Sequence, residues 1–472
     1  MNRHAPSAIL LAFLIVIADP GFAAAATPGP APGNFFDANF DIAPLLRERL
    51  AAEPAPVCVA VALVNGATPG AKPVLRTLCK EGAALPGSDD ANAPPLFEIG
   101  SISKAFTAVI LADMVVRKEA SLDDPVAKFL PAGIVAPANG DRAMTLRDLA
   151  TQTSGLPRLP PGFRPKNPDN PYADMTADEI FKAFASTRLT SDPGSRYEYS
   201  NFGYIVLTAV IVRIAKQDYG TLLRERIFKP LAMADSTLAP SAGQQRRFAD
   251  GHDAAYRKVP HWDFPENLAG VGGIRSSLPD MTRFLEANLG LRPSELDPAL
   301  ALSHAMQRAA GPGLDIGLAW HIRRSAHGDI VWHNGGTAGF RSFIGFDMQR
   351  KTGVVVLADS AAEFDDLALH LLDPASPLKK AHAAITLPEA QLDACAGTYE
   401  IGAAFRIEIA RDADHLRVQA TGQPAFAAYA ETSESFFLRG VDAKLTFTRD
   451  AGVVTGIVLH QGGRDTPGRR LP

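Results

Sequence analysis

Three short stretches of this chain hold side chains that can do nucleophilic chemistry together. Ser101 and Lys104 stand three residues apart in Phe97-Glu98-Ile99-Gly100-Ser101-Ile102-Ser103-Lys104. If a helix begins there, this spacing puts hydroxyl and ammonium on one face, within hydrogen-bond reach. A serine hydroxyl is a weak nucleophile until a neighbour activates it, and a desolvated lysine can do so. The first N–H groups of the helix can also meet a developing oxyanion. Tyr199 and Asn201 stand two apart in Tyr197-Glu198-Tyr199-Ser200-Asn201, after the turn Asp192-Pro193-Gly194. A phenol can shuttle a proton there, and an amide can meet a substrate. His333-Asn334-Gly335-Gly336 follows the strand-like Val331-Trp332. Glycines there let a substrate approach the strand edge, whose free N–H can serve as an oxyanion donor.

Taken singly, each stretch has an ordinary structural reading. Ser101 can be a helix cap beside a solvated lysine, Tyr199 and Asn201 a turn entering a helix, and His333 an incidental residue at a strand end. Context favours chemistry for the first. A lysine followed directly by Phe106, Val109, Ile110, Ala112, Met114 and Val115 is costly to bury without a task.

Read in the order S-x-x-K, Y-x-N, H-x-G, the set resembles the serine β-lactamase and penicillin-binding-protein superfamily, and within it the class C β-lactamase group. The octet 97–104 fits that group's active-site pattern at every position. Leu149-Ala150-Thr151-Gln152-Thr153-Ser154-Gly155-Leu156-Pro157 is similar to the family's LLTHTSGLP, and Gly270-Val271-Gly272-Gly273-Ile274-Arg275-Ser276-Ser277 to its GGLxST. The resemblance covers roughly residues 36–375 and implies an α/β fold: an antiparallel sheet flanked by helices, with a mostly helical insertion. It also implies roles. Ser101 would form an acyl-enzyme, with Lys104 as its cationic partner or base and Tyr199 as proton carrier. Asn201 would contact the substrate amide, and the N–H groups of Ser101 and Gly336 would form the oxyanion hole. His333 and Gly335 would line the substrate edge. No metal or other cofactor is implied.

One departure bears on substrate. Class C β-lactamases carry Lys-Thr-Gly where this chain has His333-Asn334-Gly335, and a histidine there is similar to some DD-peptidases, D-aminopeptidases and esterases of the superfamily. A lysine gives a substrate carboxylate a permanent cation, whereas histidine is mostly neutral at pH 7 and is expected to charge in part towards pH 6. The implied reaction is cleavage of a β-lactam or a D-Ala-type peptide amide. The rivals are an esterase or D-aminopeptidase on the same site, or a penicillin-binding sensor without turnover. The implied partner is a small molecule or a peptidoglycan-type peptide.

The elements that must position these residues follow from pattern. The 472 residues are 46% apolar and 21% charged, with 47 Lys+Arg against 51 Asp+Glu and a net charge of −4. That is ordinary globular composition, without the basic footprint of a nucleic-acid binder. Helices are expected over 40–52, 104–118, 204–214 and 281–289, and strands near 57–64, 74–79, 329–332, 342–346 and 353–357. Between 119 and 330 the pattern reads as helices and Pro-rich loops, so strands at both ends enclose a helical middle. After a boundary at 374–386, alternating residues such as Phe405, Ile407 and Ile409, then Leu445 and Phe447, predict a small all-β meander or barrel over 386–472. Its Gly397-Thr398-Tyr399 resembles the opening of the lipocalin-like domain appended to some family members.

Arg3, the apolar run 8–18 and the small residues 23–26 read as a signal peptide over 1–26, followed by a Pro/Gly linker over 27–34. That predicts a secreted or periplasmic protein with no membrane span in its mature chain. Cys58 and Cys79 flank the turn residues 66–70, and a hairpin centred between residues 68 and 69 sets them opposite one another. Either a cross-strand disulfide or two buried thiols fits; Cys395 has no partner in either case. No cysteine or histidine spacing matches a zinc site.

Overall fold

The computed structural model describes residues 35–472 except 38–39, 54, 87–92, 254–255, 325–327, 403–404, 422–424, 440–442 and 462–463. The signal peptide and linker expected over 1–34 lie outside the described residues. Those that are described form two compact units, one ending at Lys379 and one beginning at Lys380.

The first unit is built on an eight-stranded antiparallel sheet among the described residues. In chain order its strands are β1 (Cys58–Asn65), β2 (Val74–Cys79), β3 (Arg308–Gly311), β4 (Leu314–Ile316), β5 (His321–Arg323), β6 (Ile330–Gly336), β7 (Arg341–Asp347) and β8 (Thr352–Ala358). Their spatial order is β2-β1-β8-β7-β6-β5-β4-β3. The central β1 is apolar at nearly every position because both its faces are covered. Cys58, Ala60, Ala62 and Val64 face one core, and Val59, Val61 and Leu63 the other. Helix α1 (Ala43–Ala51) brings Leu46 and Leu50 to the second core, where Leu367 and Leu371 of a helix over Asp365–Leu372 join them. Across the sheet lies helix α2 (Ser103–Val116), buried almost all round, which explains its lack of a polar face.

The hairpin register is the expected one: Cys58 pairs with Cys79, and the two are joined by a disulfide. Cys395 is a buried free thiol. Two expectations need correction. The stretch assigned to helices and loops up to 330 holds β3, β4 and β5, which extend the sheet. They are three or four residues long, and Arg-Ala-Ala-Gly in β3 has no apolar alternation to reveal it. The strand expected to end at Trp332 runs on to Gly336, so His333 and both glycines lie within it. The small strand Leu96–Glu98, which pairs with Arg275–Ser277, leads into the α2 turn.

The second unit is a closed barrel of consecutive antiparallel strands from Gly397–Gly402 to Arg464–Arg470, with Tyr399 paired to Arg470 where it closes. Ile407, Ile409, Leu416, Val418, Leu445 and Phe447 fill it, the residues whose alternation predicted strands. Its last strand, Arg-Asp-Thr-Pro-Gly-Arg-Arg, has no apolar alternation and was not expected. Among the described residues no helix is long and apolar enough to cross a membrane.

Candidate active site

The chain leaves the strand Leu96–Glu98, turns at Gly100 (φ +48°) and makes one 3-10 turn, Gly100–Ile102, before α2 begins. That turn sets Ser101 beside the first turn of the helix. Lys104 is fully buried, and its Nζ donates to Ser101 Oγ at 2.9 Å and to the Val271 carbonyl at 2.7 Å. Burial, then the positive charge of Arg158, hold the lysine well below its ordinary pKa. No carboxylate forms an ion pair with it among the described residues. The group bonded to the serine is thus a desolvated amine that gives up its proton readily, which is what a general base needs.

Tyr199 and Asn201 arrive at the same place from the start of helix α3 (Asn201–Ala215). Ser200 is the N-cap, accepting from Gly203 N at 2.9 Å, while its own hydroxyl donates to the Pro157 carbonyl at 2.7 Å. Gln152 grips both neighbours of Tyr199: its carbonyl accepts from Glu198 N at 2.7 Å and its side-chain oxygen from Ser200 N at 2.8 Å. The Tyr199 ring lies 5.0 Å from Lys104 Nζ and 5.3 Å from the Arg158 guanidinium. Burial pushes the phenol up to about 12, and the nearby Ser101 hydroxyl and Arg158 charge moderate the rise. The Tyr199 hydroxyl makes no bond of normal length and angle, so it remains available to an incoming group. Asn201 donates through Nδ2 to Tyr172 at 3.4 Å, which leaves its Oδ1 without a partner.

On β6, side chains alternate. Asn334 points one way and donates to Asp365 at 2.5 Å, while Gly335 packs against Ile99 and the Ser342 hydroxyl. β5 pairs with β6 only at residues 330–332, so that edge of β6 is open from His333 onward. The backbone of Gly336 lies directly against Gly100. His333 is buried, with Nδ1 bonded to the Asn334 carbonyl at 2.6 Å and Nε2 unpartnered. A carbonyl can only accept, so Nδ1 carries the proton and Nε2 a lone pair. Burial, then the neighbouring His321 and Lys104, hold its pKa well below the ordinary value. The imidazole is neutral, and the partial charging expected towards pH 6 does not follow.

Ser101, Asn201 and Gly336 line one cleft with Tyr172, Trp262, Phe264, Val271, Gly272 and Thr337. Three aromatic side chains, Tyr172, Trp262 and Phe264, thus form part of the wall beside the Ser101 hydroxyl. Lys104, Tyr199 and His333 stand behind the cleft lining rather than in it. Sequence reasoning did not find Gln152, Arg158, the Val271 carbonyl or the aromatic residues Tyr172, Trp262 and Phe264. Gln152, Val271 and Gly272 lie in stretches already marked by resemblance; the aromatic residues carry no local signal among 25 phenylalanines, 8 tyrosines and 3 tryptophans.

The fold and this constellation are those of a serine hydrolase of the β-lactamase type. The chain belongs to the Beta-lactamase family, whose pattern matches residues 71–373. Residues 381–470 match a domain of unknown function, DUF3471. Over 275 residues the chain is 29% identical to the D-alanyl-D-alanine-carboxypeptidase/endopeptidase AmpH of Escherichia coli K12, covering 55% of this chain and 69% of that one. It is 23% identical over 298 residues to the beta-lactamase of the same strain, covering 56% and 75%. Among solved structures, a β-lactamase/D-alanine carboxypeptidase from Yersinia pestis superposes with a TM-score of 0.59 at 24% identity, over 71% of this chain and 96% of that one. A class C β-lactamase gives 0.58 at 20% identity, over 70% and 93%.

Proposed function

We propose that this chain is an exported serine amidase that forms an acyl-enzyme on Ser101 and cleaves D-Ala-type peptides of the peptidoglycan kind. The observation that carries the reading is the buried Lys104 amine bonded to the Ser101 hydroxyl. In the proposed reaction, neutral Lys104 takes the serine proton as Oγ attacks the carbonyl carbon. The tetrahedral oxyanion rests on the N–H groups of Ser101 and Gly336. Lys104 returns that proton through Tyr199, which hands one to the leaving amine as the C–N bond breaks and takes one back from the lysine, and Asn201 holds the amide of the acyl portion. Water then attacks the ester, its proton returns through the same groups, and Ser101 is released. Likeness to a D-alanyl-D-alanine-carboxypeptidase/endopeptidase supports the substrate class. The disulfide between Cys58 and Cys79, together with the leader-like N-terminus, supports export to an oxidising compartment.

A second reading, an esterase or D-aminopeptidase, is favoured by one observation. The residue at the start of the open edge of β6, behind the cleft lining, is a neutral imidazole with an acceptor nitrogen, which gives a substrate carboxylate no permanent cation. Incubation with a fluorogenic penicillin, a D-Ala-D-Ala peptide and a neutral ester, each followed by intact-protein mass spectrometry, separates the readings. Peptide turnover supports the first and ester turnover alone the second. A penicillin adduct that persists indicates a sensor, and the absence of both turnover and any Ser101 adduct removes all three.

A further inference from the structure

A larger cleft lies on the other side of the segment that carries Tyr199. It has an open volume of about 260 Å³ and is lined by Thr153, Gly194, Ser195, Arg196, Tyr197 and Gln307 to Ala309. One wall is the edge of the sheet: β3 is the outermost strand and pairs only with β4, so Arg308 and Ala309 stand on an unpaired edge. The other wall is the loop over 194–197. Tyr197 lines this cleft and Asn201 the one beside Ser101, and four residues of chain span at most about 14 Å.

The charges facing this cleft are of one sign. Among the described residues that line it, Arg196 and Arg308 are the only Asp, Glu, Lys or Arg side chains. The carboxylate partner of Arg308 is itself shared, whereas Arg196 has its own. Asp148 is shared between Arg308 at 3.1 Å and Arg142 at 2.9 Å, so one carboxylate serves two guanidiniums. Arg196 meets Glu198 through Nη2 at 2.7 Å, and its side chain is 62% exposed. Arg308 Nε is buried and makes no hydrogen bond. Burying an N–H without a partner is costly, and the Arg308 side chain as a whole keeps 28% of its surface exposed to an incoming acceptor. Planar carboxylates fit that fork in two parallel bonds.

We propose that this second cleft binds a small carboxylate-bearing ligand, gripped by Arg308 and Arg196 against the exposed edge of β3. The site is independent of whatever chemistry Ser101 performs. Its test uses the full chain with Ser101→Ala, so that acylation plays no part, and titrates glutarate by calorimetry at low salt. Saturable binding is expected, at least tenfold tighter than that of the neutral diamide glutaramide or of inorganic phosphate. Arg308→Met should weaken it at least tenfold. Because that change also strips a partner from Asp148, Ala309→Glu provides the decisive variant. Ala309 is exposed and lines the cleft, and a carboxylate there leaves both arginine pairs in place, so glutarate binding should vanish with the melting temperature unchanged. Absence of saturable glutarate binding, equal affinity for glutaramide or phosphate, or binding that survives Ala309→Glu would each overturn the assignment.

Discussion

Gly100 and Gly336 meet backbone to backbone: a Cβ on Gly100 would lie 2.6 Å from the Gly336 nitrogen. This contact joins the turn carrying Ser101 to the open edge of β6, although the two glycines are far apart in the chain. The proposed oxyanion hole would draw its two N–H groups from Ser101 and Gly336, on the two sides of this contact. Gly335 adds a second close approach, since a Cβ there would lie 2.1 Å from the Ile99 carbonyl oxygen.

Gly335→Ala is therefore expected to push β6 away from the Ser101 turn. Backbone cannot yield as a flexible side chain does, so the displacement falls on the oxyanion geometry. A misplacement of about 1 Å costs roughly a hundredfold in rate. Ser101 labelling by a fluorophosphonate, timed in the variant and compared with its melting curve, checks this. Full-speed labelling in a folded variant would show that the edge does not serve the reaction.

Ser101→Ala should abolish labelling by both penicillin and fluorophosphonate. Lys104→Ala should keep the fold, because α2 is packed by Phe106, Val109, Ile110 and Met114, yet lose roughly 100- to 10,000-fold in acylation. An adduct on any residue other than Ser101, mapped by peptide mass spectrometry, refutes the assignment of the nucleophile.

The sign of the pH dependence follows from Lys104. Its pKa is lowered by burial and by Arg158, and the neutral amine is the working form. Acylation of a neutral ester should rise with pH and level off well below pH 10.5, falling as the amine protonates in acid. Lys104→Arg, which keeps the charge but cannot deprotonate, should be inactive at every pH. A rate that falls as pH rises towards 9 would exclude lysine as the base.

Local spacing made the nucleophile legible. Ser101 and Lys104 are neighbours because three residues on a helix make them so, and the Cys58–Cys79 register follows from the centre of one turn. What escaped was long-range. The second partner of Lys104 is a carbonyl 167 residues away, and Gln152 reaches Ser200 across 48. No periodicity encodes such contacts. His333 was recognised but placed at a strand end, because Asn334-Gly335-Gly336 looks like turn chemistry. In the fold these residues remain in strand because close packing against Ile99 and Gly100 requires glycine there. The polar last strand of the barrel escaped for a different reason: its burial pattern does not alternate in residue type.

The disulfide closes a loop with a sequence separation of 21. The chain-entropy model gives such a bridge about 3 kcal/mol. Non-reducing peptide mapping should link Cys58 to Cys79 and leave Cys395 free. Burial pushes the Cys395 thiol up to about 11, so it should resist alkylation in the native protein and react once unfolded. Three titratable thiols in protein made in an oxidising compartment would refute the bridge. Cys58→Ala with Cys79→Ala should lower the melting temperature without changing Ser101 labelling.

His333 offers the sharpest test of substrate choice. Its Nδ1 proton is committed to the Asn334 carbonyl, so a group that reaches the ring from the cleft in front of it meets the lone pair of Nε2. A carboxylate brings no proton to that lone pair and gains nothing from it. Penicillins and other carboxylate-bearing substrates thus forgo a charge-assisted hydrogen bond of about 1.5–3 kcal/mol, roughly a ten- to hundredfold deficit in kcat/KM. His333→Lys should restore part of that deficit for penicillins while leaving neutral esters little changed. Acidification should not imitate it. Because burial, His321 and Lys104 hold the imidazole well below its ordinary pKa, it stays mostly neutral as pH falls from 8 to 6. Both substrates share the loss of neutral Lys104, so the informative quantity is the penicillin-to-ester ratio of kcat/KM at each pH. That ratio should be flat across the range in the parent protein and displaced upward by His333→Lys. A parent ratio that climbs towards pH 6 would mean that the ring does acquire a proton in the folded chain. A ratio unmoved by the substitution would place carboxylate selection elsewhere in the cleft.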